Sequence, residues 1–254
     1  MLPRPKKQFG QHFLTDRHYL GRIVSAIDPK PGDSMVEIGP GTGLLTAELV
    51  KVLEHLDVVE IDRSLAAALR ENFPPGKLSV HEADALEFDF TQLAAPLRVA
   101  GNLPYNVSTP ILFRMAALAP RLVDCTFLLQ KEVVERMVAA PGTPEYGRLS
   151  VMLQYHFEMH SMLRVPPGAF TPPPKVESAV VRMHPLGPDR PLARDEQRFA
   201  AVVSAAFSQR RKTLRNATRA LVELEAFAAT GIDPGRRGET LSVREFIALA
   251  DSIA

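Results

Sequence analysis

The 254-residue chain has a single cysteine, Cys125, so it can form neither an internal disulfide nor a cysteine-cluster metal site. Its longest apolar runs are strand-sized, too short to span a bilayer, and its basic, turn-rich start lacks the apolar core of a secretory signal. These absences point to a reducing cytoplasm and away from membranes. Disorder is excluded too, because hydrophobic residues at 46% and charged residues at 23% sit at globular averages. The formal net charge of +1 says little by itself. Its distribution says more: residues 182–254 hold 12 Lys and Arg against 9 Asp and Glu.

The length suits one large domain with a small appendage. Between 34 and 129, short β-type apolar runs alternate with helical stretches, which predicts a parallel sheet flanked by helices. Strands are expected at 34–38, 56–61, 78–82, 97–101 and 123–129, with helices at 44–53, 64–72 (Ser64 as N-cap) and 108–118. A helix at 131–140 and a strand-like alternation at 155–165 follow. Five prolines in 165–174 leave that stretch extended or turning, and a strand resumes at 176–183. Proline, glycine and charge concentrate in 185–195, which divides a first domain, 1–185, from a second, 186–254, with helices expected at 195–208, 212–221 and 242–252.

After the first strand comes Gly39-Pro40-Gly41-Thr42-Gly43-Leu44. Leu44 stands where a dinucleotide fingerprint would place its third glycine, and no Gly-Lys-Ser/Thr follows, so pyrophosphate cofactors and a Walker loop are disfavoured. Closely spaced glycines still let a phosphate-free nucleoside approach the backbone, as in S-adenosylmethionine (SAM). A plain strand-to-helix turn is the simpler alternative. Glu60 and Asp84 end the second and third strands, where ligands collect in open α/β sheets; Glu60 can accept both ribose hydroxyls, with Asp62 a nearby competitor, and Asp84 the adenine amine, or each can simply cap a helix or sit in a solvated loop.

The fourth strand runs into Gly101-Asn102-Leu103-Pro104-Tyr105. Methylating an adenine amine requires acceptors for its two protons, because its lone pair is delocalised into the ring. Pro104 biases Leu103 to an extended conformation that can aim its carbonyl into a cleft, and Asn102 offers a side-chain oxygen. Tyr105 offers a face for the base.

Gln8-Phe9-Gly10-Gln11-His12-Phe13-Leu14, the segment from Glu37 to Gly43, Glu60, Asp84, the turn from Asn102 to Tyr105, and Phe170-Thr171-Pro172-Pro173-Pro174-Lys175-Val176 occur in order. Together they resemble the rRNA adenine dimethyltransferase family over essentially the whole chain, most closely its bacterial small-subunit branch. The resemblance implies an α/β, doubly wound, Rossmann-like SAM-dependent methyltransferase domain with a small, all-helical C-terminal domain. It also implies transfer of methyl groups from SAM to two adjacent adenines near the 3′ end of 16S rRNA in the assembling small subunit. His12 and Leu14 would line the cofactor site with Gly39, Gly41, Glu60, Asp84 and Asn102, while Phe170 would face the target base opposite Tyr105. Phe170 could instead plug the domain seam, and His12, beside Phe9 and Phe13, could merely tie down the start of the chain. Two alternatives are a large-subunit rRNA adenine methyltransferase conferring antibiotic resistance, and a non-catalytic RNA-binding assembly factor.

Arg210, Arg211, Lys212, Arg215 and Arg219 crowd ten residues without an acid. On one helix Arg211, Arg215 and Arg219 would form a stripe able to track RNA phosphates, with Leu214, Ala217 and Leu221 inward; a solvated helix face is the plainer reading. Arg4, Lys6 and Lys7 add a basic arm. His156 and His160 lie about 13 Å apart on a strand, too far to share an ion, so no metal is expected. The protein is expected to be a monomer.

Overall fold

The computed structural model describes residues 11–209 and 211–253; Arg4, Lys6, Lys7, Gln8, Phe9, Gly10 and Arg210 lie outside the described residues. A two-residue strand, β1 (Phe13–Leu14), precedes helix α1 (Arg17–Ile27). Asp16 starts α1 by accepting from the His18 and Tyr19 N–H groups, and Leu20, Ile23 and Ile27 bury one face.

The alternating region then follows as β2 (Met35–Ile38), α2 (Leu44–Leu49), β3 (Leu56–Glu60), α3 (Arg63–Asn72), β4 (Leu78–Glu82), β5 (Leu97–Asn102), α4 (Ser108–Leu118) and β6 (Leu122–Gln130). All five expected strands are present. Asp62 caps α3 rather than Ser64, because its carboxylate accepts from both the N–H and the hydroxyl of Ser64. Beyond β6 lie α5 (Lys131–Val138), α6 (Arg148–Gln154), β7 (Phe157–Val165), β8 (Phe170–Thr171) and β9 (Ser178–Pro185). The proline-rich stretch is thus not wholly irregular. Four consecutive residues with backbone N–H groups, 168–171, lie between its prolines, and the last two of them, Phe170 and Thr171, form β8, which pairs antiparallel with β1 in the register Phe13↔Thr171 and Leu14↔Phe170.

The main sheet has the order β4-β3-β2-β5-β6-β9-β7. The strands from β2 to β6 pair in parallel, and β9 is antiparallel to β6. The chain winds outward from β2 to β4 and then returns to the other side of β2 at β5. That reversal leaves a crevice beyond the carboxyl ends of β2 and β5, where open α/β sheets bind ligands. At the opposite end of the sheet, Arg98 is buried but fully engaged by Asp124, Asp33 and the Ile27 and Asp28 carbonyls. Burial alone would raise the Asp124 carboxyl, but Arg98 and Arg182 overcome it and hold it below the usual carboxylate range.

The chain divides into two compact units, the first running to Val134 and resuming over Glu158–Pro185. The second joins Glu135–Phe157 to the chain from Leu186 onward, a grouping that a single cut after residue 185 does not describe. Its cause is an apolar cluster in which Tyr146, Val151 and Tyr155 pack with Phe199, Val202, Phe227 and Phe246. Helices α7 (Glu196–Ser208), α8 (Leu214–Thr218), α9 (Leu224–Thr230) and α10 (Val243–Asp251) build the rest of that unit. The helix expected over 212–221 shrinks to α8. Thr213 is extended, and at the other end the Thr218 hydroxyl bonds back to the Leu214 carbonyl while the chain turns. Arg211 precedes α8, Arg215 lies within it and Arg219 ends it; all three are exposed, and so is Leu221, which was expected inward.

Candidate active site

The crevice beyond β2 and β5 is a cleft whose walls come from the β2–α2 turn, the ends of β3 and β4, the β5–α4 turn and the segment around β1. In the first turn Gly41 has φ +58°, which favours glycine, and a Cβ there would stand 3.1 Å from the Phe13 ring, close enough that the ring would have to give way. The Gly41 N–H donates to Glu60 Oε2 at 3.0 Å, and the Asp62 N–H donates to Glu60 Oε1 at 2.8 Å. Glu60 therefore shapes the glycine turn while keeping lone pairs on both oxygens for a ligand. Burial pushes its carboxyl up, and the two N–H groups pull it back. Asp84, half-buried two residues past β4, lines the same cleft and accepts from the Leu86 N–H at 2.8 Å.

Asn102 closes β5. A Cβ built on Gly39 would lie 3.8 Å from the Asn102 main-chain oxygen and 3.9 Å from the Pro104 ring, so the two turns abut. Leu103 is buried, with its N–H bonded to the Leu128 carbonyl at 3.2 Å. The Tyr105 hydroxyl is 2.7 Å from Ser178 Oγ, a buried partner on β9 that fixes the ring from behind. The Asn102 amide donates through Nδ2 to the His12 carbonyl at 2.9 Å, which turns Oδ1 away from that segment.

The structure brings His12, Leu14, Gly39, Gly41, Glu60, Asp84, Asn102, Leu103, Pro104 and Tyr105 together in this one cleft. Phe170 is not among the lining residues. Only 3% exposed, it is drawn by the β1–β8 pairing into the apolar cluster of Leu14, Val165 and Val180. The face of Tyr105 is instead stacked by the His12 ring, with centroids 5.5 Å apart and planes at 25°.

Glu37 and Thr126, buried polar residues of the cleft, carry no individual expectation from the sequence. Register places Glu37 opposite Ala100, and Ala100 opposite Thr126, so both polar side chains flank a small residue in one row of the sheet. Both are buried. Thr126 Oγ1 has no hydrogen-bond partner among the described residues, whereas Glu37 accepts from the Thr46 hydroxyl at 2.6 Å. The available signal was the parity of β2, which puts Glu37 on the same side as the core residue Met35.

Burial pushes the Glu37 carboxyl up to about 8, against the opposing pull of the Thr46 hydroxyl. The folded protein then holds a proton that the unfolded chain releases from about pH 4.5 upward, so folding stability falls as pH rises toward 8 and levels off above it. The expected slope from this group approaches about 1.4 kcal/mol per pH unit in mid-window. Denaturant unfolding of the ligand-free Glu37→Gln variant should lose that slope; an unchanged pH profile would show Glu37 ionised in the native state.

Among the described residues no group of three or more His, Cys, Asp and Glu could hold a metal ion. The profile of the family "Ribosomal RNA adenine dimethylase" matches residues 3–254. A "Ribosomal RNA small subunit methyltransferase A" from Aromatoleum aromaticum is 57% identical over 99% of this chain and 95% of its own, and the protein of that name from Laribacter hongkongensis is 56% identical over 97% and 95%. Among solved structures, a dimethyladenosine transferase from Plasmodium falciparum superposes with a TM-score of 0.81 at 25% identity, covering 94% of this chain and 96% of that one. The 23S rRNA methyltransferase ErmE does so with 0.73 at 26% identity, covering 95% and 99%.

Proposed function

The chain belongs to the ribosomal RNA adenine dimethylase family, and from that membership we propose that its target is small-subunit RNA, two adjacent adenines near the 3′ end of 16S rRNA in an assembling subunit. It is a SAM-dependent methyltransferase of ribosomal RNA adenines with a Rossmann-like catalytic fold. SAM supplies an electrophilic methyl group when bound. The cleft suits it, with a glycine turn that a side chain at Gly41 would fill, two strand-end carboxylates and apolar walls from Leu14, Ile38 and Leu45. In this reading Glu60 receives the ribose hydroxyls and Asp84 the adenine amine. His12, Leu14, Gly39, Gly41 and the Asn102 main chain border the remainder.

The observation that supports the reading best is the abutment of the Asn102–Tyr105 turn on the glycine turn, which sets amine acceptors beside a nucleoside cradle. Asn102 Oδ1 and the Leu103 carbonyl accept the protons of the target amine, Pro104 keeps Leu103 extended, and Tyr105 supports the base. Phe170 joins them only after its loop shifts, because its ring is buried. Residues 1–185 carry the chemistry in this assignment, and Arg211, Arg215 and Arg219 of 186–254 contact RNA phosphates, Arg215 and Arg219 from α8 and Arg211 from the segment before it rather than all three from one helical stripe. No helix among the described residues is long and apolar enough to cross a membrane. A cytoplasmic, monomeric protein is part of the same proposal.

Identities of 57% and 56% with small-subunit enzymes favour that substrate over the large-subunit alternative, represented at 26%. Radiolabelled methyl transfer to small and large ribosomal particles, followed by nucleoside analysis, should yield dimethyladenosine in the small particle alone. Label in the large particle would move the assignment to the other subunit, and no label on either would support a binding factor.

A further inference from the structure

His12 is held at three points. Its Nδ1 lies 2.8 Å from the Pro172 carbonyl, its own carbonyl receives the Asn102 amide at 2.9 Å, and its ring covers Tyr105. The neighbouring residues Phe13 and Leu14 are tied to Thr171 and Phe170 through β1 and β8. A planar heteroaromatic ring, hydrogen-bonded at one nitrogen and stacked on Tyr105, lies beside the very amide that is to receive a target amine. Its centroid separation of 5.5 Å leaves no room for a base between the rings, since two stacked layers need about 7 Å.

We propose that His12 is a positioning residue that holds the place of the target adenine: its ring keeps Tyr105 covered, its carbonyl keeps Asn102 Oδ1 turned toward the incoming amine, and the base enters by displacing the ring. This rests on the reading of Tyr105 as the support for the base, and it places the His12 ring on the substrate side of the cleft while the His12 backbone borders SAM. Displacing the ring also removes its Nδ1 contact with the Pro172 carbonyl, one tie on the segment that buries Phe170, while the His12 carbonyl stays bonded to Asn102.

The test exploits opposite signs. A ring that competes with the base should help when removed and hinder when strengthened. For His12→Ala the KM for small-subunit particles should fall about two- to tenfold, and for His12→Phe it should rise by a similar factor, the range expected for one aromatic pair. A merely structural role would move both variants the same way. SAM affinity measured by calorimetry on the same proteins separates the cofactor side, and a loss for His12→Ala without a fall in KM would overturn the proposal. Like-signed KM changes in the two variants would overturn it as well. Tyr105→Ala run in parallel identifies the source of any failure: normal single-turnover rates there would remove the Tyr105 reading itself, whereas a slow Tyr105→Ala beside like-signed His12 variants would remove only the place-holding role.

Discussion

Asn102→Ala is expected to slow single-turnover methyl transfer by about a hundredfold or more while leaving RNA binding close to normal. The amide is fixed by its donation to the His12 carbonyl, so Oδ1 is pre-aimed and needs no reorganisation when the target nitrogen becomes pyramidal. Its interaction strengthens only as charge develops on that amine, which is why the loss falls on turnover rather than on ground-state affinity. Cofactor contact by the Asn102 main chain survives the change. The measurement is single-turnover transfer at saturating SAM beside equilibrium SAM binding; a normal rate would exclude the acceptor role, and lost SAM binding with normal transfer at saturation would move Asn102 to the cofactor side.

Glu60→Ala should weaken SAM binding by about a hundredfold or more. Two charge-assisted hydrogen bonds, worth about 1.5–3 kcal/mol each, would be lost with the carboxylate. The structure adds a second reason, since the Gly41 N–H also loses its partner and the glycine turn loses its brace. Glu60→Gln, which retains one acceptor, should fall between the two. Calorimetry showing undiminished affinity in a folded Glu60→Ala protein would refute the assignment.

Local signals carried the parallel sheet and the two turns. The 2-residue period and the Gly and Pro punctuation located β2 to β6 closely, and Gly39, Gly41, Glu60, Asp84 and Asn102 all reach one cleft because strand ends are determined by those same signals. Long-range pairing was illegible. Nothing near Phe170 announces that Leu14, 156 positions earlier, will draw its ring into the core, and nothing near Tyr105 announces that His12 will cover it. Helix α8 failed for the opposite reason. The spacing of Arg211, Arg215 and Arg219 is a valid helical pattern, but the hydroxyl of Thr218 and the extended backbone of Thr213 cut the helix to five residues.

The interleaving of the two units has a consequence for birth on the ribosome. Synthesis runs from the amino terminus and tends to complete domains in that order. Here β6 emerges long before its antiparallel neighbour β9, and between them comes the insert bearing Tyr146, Val151 and Tyr155. Those apolar side chains remain without Phe199 and Val202 until α7 has been made, and without Phe246 until nearly the last residues. The catalytic sheet can therefore close while a sticky internal segment still awaits its cover, and a chain that stops near Pro185 would carry that exposed patch permanently.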